Sequence, residues 1–134
     1  MTNAEKVDRF LTKAGVFCFL TTDGDQPRGR PFGFHYLDGE RIYFLCGSFK
    51  HVYAQMKANP RVEVLAVAGD EFLRYDGTVR VAEDETTLQK VKAAMPPRLV
   101  EMYERNGWEM VIFNLEDGHA ELRKMMELIE AFDL

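Results

Sequence analysis

The chain has 134 residues, a length typical of one domain with a single hydrophobic core, and we expect one domain over residues 1–134. Hydrophobic residues make up 46% of the sequence and charged residues 29%, a balance that excludes a disordered or low-complexity chain. The formal net charge of -5 argues against a nucleic-acid partner, because nucleic-acid binding needs clustered positive charge, although a local basic spot can still hold a phosphate.

Cysteine and histidine positions limit the possible compartments and metal chemistry. Cys18 and Cys46 both lie in apolar runs typical of strands, and no N-terminal segment resembles a signal peptide or membrane span. These features predict a cytoplasmic protein with reduced thiols and no membrane association. His51 and His119 have no partners at metal-ligand spacing, so we predict no metal site.

The first third of the chain predicts a helix followed by three antiparallel strands. Thr2 and Glu5 have capping-box spacing before an apolar helical stripe, and Gly15 follows it. Two hairpin strands are predicted over residues 16–20 and 29–36, joined by a polar turn that contains glycine. The tight turn at residues 38–40 leads into a third strand over residues 41–45.

The middle of the chain alternates between the two element types. A helical stripe over residues 49–56 is stopped at Pro60, and a β-branched strand over residues 61–67 follows. A long strand over residues 72–82 contains Gly77, which suggests a bulge. Asp84 is positioned to cap a helix that Pro96 breaks, and a second short helix runs to Gly107 before a strand over residues 110–115.

The last segment supports two interpretations. Apolar residues over 122–129 are spaced for a helix, whereas Glu116-Asp117-Gly118 is a hairpin turn signal. We favour a short strand over residues 119–124 that returns beside residues 110–115, with only the end from about Met125 helical. The complete order then predicts an α+β fold, mainly β, built on a six-stranded antiparallel barrel or curled sheet.

A candidate anion site lies where the apolar strand over residues 41–45 meets the next helix. Ser48 is placed to cap that helix and Lys50 to neutralise an anion beside its free N–H groups. Arg28 and Arg30 are two residues apart, hence on one face of a regular strand, and suit a phosphate dianion. Pro31 donates no N–H, which predicts an edge or bulge with room for a planar ligand.

Several motifs together resemble a known family. The run QPRGRPFG over residues 26–33 and the run SFKHVYAQMKANPRVE over residues 48–63 resemble the pyridoxamine 5′-phosphate oxidase-like flavoproteins, in particular their small nitroimidazole-reductase-like branch. The similarity extends from Phe17 to Leu122 and includes FLRYDG over residues 72–77 and FNL over residues 113–115. It implies a six-stranded split barrel of the FMN-binding type that forms a homodimer, with one FMN in each of two clefts at the subunit interface.

The resemblance also assigns cofactor roles to residues. The arginine and lysine that hold the phosphate in the family match Arg30 and Lys50, and we add Arg28 and Ser48 from the anion-site argument. Backbone at Pro31, Phe32, Gly33, Leu45 and Cys46 is implied to run beside the isoalloxazine. No catalytic side chain is predicted, because a flavin carries the electron transfer itself.

The resulting functional hypothesis is an FMN-dependent oxidoreductase that reduces a small planar electrophile, such as a nitroaromatic or quinone, with NADH or NADPH as donor. The alternative is a non-catalytic flavin- or haem-binding module, since one fold hosts several functions. Biosynthetic oxidation of pyridoxine phosphate is not expected, because the chain ends in ELIEAFDL instead of the oxidase's tryptophan and arginines. A hydrolase is disfavoured, because no Gly-x-Ser-x-Gly elbow is present.

Overall fold

Eight strands and four helices make up the fold in a computed structural model that describes residues 1–134. None of the helices has both the length and the apolar composition to cross a bilayer. In chain order the elements are α1 (Asn3–Ala14), β1 (Phe17–Asp23), β2 (Gln26–Phe32), β3 (Tyr36–Asp38), β4 (Arg41–Gly47), α2 (His51–Ala58), β5 (Arg61–Ala68), β6 (Glu71–Val81), α3 (Glu85–Ala94), α4 (Pro97–Asn106), β7 (Met110–Lys124) and β8 (Glu127–Asp133).

The strands form one antiparallel sheet in the order β2-β1-β5-β6-β7-β4-β3, and β8 pairs with β7 outside this path. The start of β7 pairs with β4, whereas its second half pairs with β8. Strands β2 and β3 do not pair with each other, so the curled sheet remains open. The predicted α+β split barrel is confirmed, but its strand number is eight instead of six.

The two strands beyond the predicted six are β3, which results from the division of a predicted strand, and β8, which replaces a predicted helix. The predicted strand over residues 29–36 ends at Phe32, and a separate short strand, β3, begins at Tyr36. The other additional strand, β8, occupies the C-terminal residues for which a helix was predicted.

The predicted hairpin turn at residues 116–118 and the predicted C-terminal helix are both wrong. Strand β7 continues through Glu116-Asp117-Gly118, where its pairing with β6 shifts beside Gly77, and the chain turns only at Met125 and Met126. It then returns as β8, which pairs with β7 and is tied to α1 by an ion pair between Lys6 and Glu130. Pairing with a long neighbouring strand therefore overrides the local helix propensity of this segment.

The local signals for several other elements are confirmed. Thr2 Oγ1 accepts a hydrogen bond from the Glu5 amide at 3.1 Å and begins α1. The Asp84 carboxylate accepts one from the Thr87 amide at 3.0 Å and begins α3. Gly107, with a left-handed φ of 65°, ends α4, and the bulge predicted at Gly77 is present.

Strand β4 is buried on both faces, which positions two predicted site residues on opposite sides of the sheet. The barrel interior is filled by phenylalanines, with Phe17, Phe19, Phe44 and Phe113 all at most 1% exposed. Cys46 joins this interior cluster, whereas Leu45 faces outward into a smaller cluster with Val91 of α3 and with Met95, which follows that helix. The alternation follows from the two-residue period of a strand.

Candidate functional site

A cleft of about 400 Å³ lies between the end of β2, strand β4 and helix α4. Four residues predicted from the sequence as isoalloxazine neighbours line it together: Pro31, Phe32, Gly33 and Leu45. The remaining lining residues are Phe34, Pro96, Leu99 and Tyr103. No charged side chain lines this cleft, so it suits a flat, largely apolar ring.

The position of Pro31 explains why the backbone is accessible here. Strand β2 is the terminal strand of the sheet and pairs only with β1, so the missing N–H of Pro31 breaks no second ladder. The predicted edge position is therefore confirmed. A Cβ at Gly33 would meet no atom within 4 Å, which means that the backbone beyond β2 borders open space.

Arg30 is held by a hydrogen-bond network at the barrel end. Its guanidinium donates to the Phe19 carbonyl at 3.0 Å, to Thr21 Oγ1 at 2.7 Å and to Gln55 Oε1 at 2.8 Å. The Thr21 hydroxyl, itself only 3% exposed, donates to the same Gln55 oxygen at 2.6 Å. An arginine has five N–H donors, so two of them remain for a ligand.

The charges around Arg30 are partly shielded from water. Burial lowers the pKa of Arg30, Cys46 acts in the raising direction, and the nearby Arg28 guanidinium lowers the pKa further. Burial also raises the pKa of the Cys46 thiol to about 12, although Arg30 opposes this. Cys46 is consequently a neutral thiol near pH 7 and is no candidate nucleophile.

The predicted capping role of Ser48 is wrong. Helix α2 begins at His51 with Lys50 as its N-cap, and no side chain caps it. The turn is longer than the sequence suggested, because the Ser48 amide donates to the Glu109 carbonyl at 3.0 Å and the Lys50 amide donates to Gly47 at 3.1 Å. The uncapped helix start leaves backbone donors beside the exposed Lys50 side chain.

Phe49 lies on the surface of this turn, next to the aromatic ring of Trp108. Phe49 is 51% exposed, and its ring centroid lies 4.9 Å from that of Trp108 and 5.5 Å from the Lys50 ammonium. A Cβ on Gly47 would approach the Phe49 ring to 2.5 Å, so the glycine makes room for it. The turn therefore presents the Lys50 ammonium group next to the exposed ring of Phe49.

The predicted site residues thus fall into two groups. Pro31, Phe32, Gly33 and Leu45 line the cleft, whereas Arg30 is bound to α2, the helix that Lys50 begins, through Gln55. Arg28 lies exposed on the same face of β2 as Arg30, and the Cys46 side chain faces the barrel interior.

Three participating residues were missed from the sequence. Thr21 continues the inward alternation of Phe17 and Phe19, so the strand period gave a usable signal for it. Gln55 and Tyr103 carried no such signal, because their contacts depend on how α2 and α4 pack.

Two of the three histidines, His35 and His119, have structural partners. His35 Nδ1 lies 2.8 Å from Asp8 Oδ1, and Nε2 lies 3.4 Å from Thr12, which ties the segment after β2 to α1. His119 Nδ1 lies 2.9 Å from Asp133 Oδ1 across the β7–β8 pair. No group of three or more histidine, cysteine, aspartate or glutamate side chains is arranged to hold a metal ion.

Comparison with known proteins gives consistent results. The profile of the family described as pyridoxamine 5′-phosphate oxidase matches residues 4–121. A NimC/NimA family protein from Clostridium acetobutylicum is 26% identical over 100% of this chain and 95% of its own, with a TM-score of 0.86. No curated protein sequence gave a significant match.

Two further solved structures share the fold at lower identity. A putative pyridoxamine 5′-phosphate oxidase from Listeria innocua is 19% identical, with 99% of this chain and 98% of its own covered and a TM-score of 0.60. A heme-binding protein from Mycobacterium smegmatis is 12% identical, with 100% of this chain and 58% of its own covered and a TM-score of 0.74.

Proposed function

Because the chain belongs to the pyridoxamine 5′-phosphate oxidase family, we propose that it is a flavoprotein that binds FMN. The observation that carries this proposal is the state of Arg30. Three protein acceptors hold the guanidinium in place, and two of its donors remain for a phosphate. A guanidinium held in this way loses little conformational entropy when it donates two parallel hydrogen bonds to a phosphate.

The start of α2 supplies the second half of the phosphate site. Lys50 adds a positive charge, and the uncapped N–H groups of the first turn add the positive end of the helix dipole. Ser48 serves through its hydroxyl and not as a helix cap, and Arg28, which is exposed on the same face of β2 as Arg30, adds positive charge. The donor set therefore suits a phosphate monoester.

The cleft between β2 and α4 is the proposed place for the isoalloxazine. Backbone at Pro31, Phe32 and Gly33 lines this cleft together with Leu45 and Tyr103. Cys46 contributes only its backbone, because its side chain belongs to the barrel interior. These residues orient the ring and exclude water, while bound FMN supplies the hydride or electron transfer.

The proposed reaction is the reduction of a small planar electrophile, such as a nitroaromatic or quinone, with NADH or NADPH as the electron donor. The similarity to the NimC/NimA family protein, at 26% identity over the whole chain, supports this choice. The apolar lining of the cleft supports it as well, since a neutral ring loses little hydration on entry.

We also propose that the protein is a homodimer with the flavin at its interface. On the outer face of β1 and β5, Val67 is 61% exposed, and the exposed Cys18 pairs with the half-buried Leu65 beside it. A single cleft of about 400 Å³ is also too small and too open to enclose a whole FMN, so a second subunit would complete the site.

The free thiols of Cys18 and Cys46 agree with the proposed cytoplasmic location.

FMN titration with absorbance detection tests the proposal. We expect saturable binding, a flavin spectrum in the bound form, and bleaching of that spectrum when NADH or NADPH is added. No FMN uptake at micromolar concentration would overturn the proposal. A Soret band on adding haem, without FMN uptake, would instead favour the haem-binding alternative.

A further inference from the structure

A second, smaller pocket of about 250 Å³ lies between helices α3 and α4 and the start of β7. Its apolar surface comes from Leu88, Met110 and Ile112, together with the rings of Tyr103 and Trp108. Tyr103 is the one residue that lines both this pocket and the proposed flavin cleft. The pocket is therefore a separate cavity, and nothing proposed above assigns it a ligand.

The two aromatic rings form walls at a right angle. Their centroids are 5.7 Å apart and their planes meet at 86°. Trp108 is held from the outside by Phe49, whose ring stands 4.9 Å away, so the indole is supported although it is 37% exposed. Perpendicular aromatic faces with an apolar floor are the arrangement that binds alkylated ammonium groups through cation–π contacts.

The charged residues around the pocket favour the same class of ligand. Glu85 and Glu104 lie on its rim, and Lys92 is the single opposing charge. Gln89 donates to Glu85 at 2.7 Å and orients that carboxylate, whereas Glu104 forms no ion pair. A cation gains from both carboxylates and from the ring faces, while an anion would be repelled by both.

We propose that this pocket binds a small organic cation with an alkylated ammonium head group. Its volume lies below the range of about 300–1,000 Å³ that accommodates drug-sized ligands, so only a compact head group enters. Trp108 and Tyr103 contact the methylated nitrogen, and Glu104 supplies the opposing charge.

Choline and dimethylbutanol, its uncharged carbon isostere, are matched probes for this pocket. Trp108 is the only tryptophan in the chain, so intrinsic fluorescence reports on this pocket directly. We expect a saturable fluorescence change with choline that sodium chloride at equal concentration does not produce. The isostere should bind at least about tenfold more weakly, because it lacks the cation–π and ionic contributions.

Glu104→Gln and Glu101→Gln are the matched variants, since both remove one carboxylate from α4 but only Glu104 lines the pocket. Glu104→Gln should raise the Kd for choline by roughly threefold to tenfold, and Glu101→Gln should leave it unchanged. The proposal is overturned if choline gives no saturable change, if the isostere binds equally well, or if the two variants behave alike. Flavin binding is measured separately by absorbance, so neither result depends on the other.

Discussion

Gln55 Oε1 accepts a hydrogen bond from Nη2 of Arg30 at 2.8 Å, and this contact joins the edge strand β2 to helix α2. Lys50 begins that helix and Arg30 lies near the end of that strand, so the contact links the two halves of the proposed phosphate site. Thr21 donates to the same oxygen and thereby orients the Gln55 side chain. The site is thus preorganised by uncharged residues that do not themselves carry the charge.

Gln55→Ala is predicted to weaken FMN binding without removing any charge. Without its acceptor Arg30 gains rotamer freedom, and the dissociation constant for FMN should rise by roughly fivefold to thirtyfold. Flavin absorbance titration measures the constant. Gln89→Ala, on the exposed surface of α3, is the control and should bind FMN as the wild type does. Wild-type affinity in Gln55→Ala would refute the positioning role.

Gly47→Ala is predicted to act through Phe49. The added methyl group would overlap the Phe49 ring, so the ring must leave Trp108, and an aromatic pair contributes about 0.5–1.5 kcal/mol. We expect red-shifted Trp108 emission and a corresponding loss of stability in urea. In the Phe49→Ala background, Gly47→Ala should have almost no further effect. An equal loss in both backgrounds would show that the glycine has another role.

Stability at high pH is predicted to depend on Cys46. The folded-state pKa is raised to about 12 by burial, above the value of the unfolded thiol, so the folded protein holds a proton that the unfolded chain has lost. The contribution of Cys46 to the free energy of unfolding is therefore fully present below the unfolded pKa of about 8.5, and it falls as the pH rises above that value. Urea unfolding at about pH 8 and about pH 10 should show a smaller loss for Cys46→Ala than for the wild type.

Tyr75 contributes to the same alkaline loss, because burial raises the pKa of its hydroxyl as well and Asp76 adds to the shift. The loss should therefore shrink in Cys46→Ala but not vanish. An identical pH dependence in wild type and variant would contradict the assignment of the alkaline loss to Cys46.

Val67→Glu is predicted to convert the proposed dimer into a monomer. Val67 is 61% exposed on the outer face of β5, and a carboxylate buried there at an interface would lose its hydration without a partner. Sedimentation velocity measures the change in mass. Met126→Glu, at the exposed tip of the β7–β8 hairpin, is the control and should stay dimeric. A monomeric wild type would refute the dimer, and a dimeric Val67→Glu variant would move the interface elsewhere.

The sequence predicted best where the signal was local. The capping interaction of Thr2, the cap at Asp84 and the bulge at Gly77 all depend on residues close in the chain, and all three are present. The cleft residues Pro31 to Gly33 and Leu45 were also identified, through a family resemblance carried by contiguous motifs.

The failures arose where partners distant in sequence decide the structure. Ser48 has the composition of a helix cap, but the Glu109 carbonyl accepts its amide hydrogen and the turn continues to Lys50. The segment after Met125 favours a helix locally, yet β7 offers a long edge and the Lys6–Glu130 ion pair ties the returning strand to α1. Neither partner can be identified from the residues next to the segment itself.

The central claim is that Arg30 and Lys50 together hold the phosphate of FMN. The most direct test compares FMN affinity in the Arg30→Ala/Lys50→Ala variant with that in Lys57→Ala, which removes an exposed lysine from the end of the same helix. Each charged hydrogen bond contributes about 1.5–3 kcal/mol, so the double variant should bind FMN at least about 100-fold more weakly, while riboflavin, which lacks the phosphate, should bind wild type and double variant alike. Unchanged FMN affinity in the double variant, with circular dichroism showing the wild-type fold, would contradict the account.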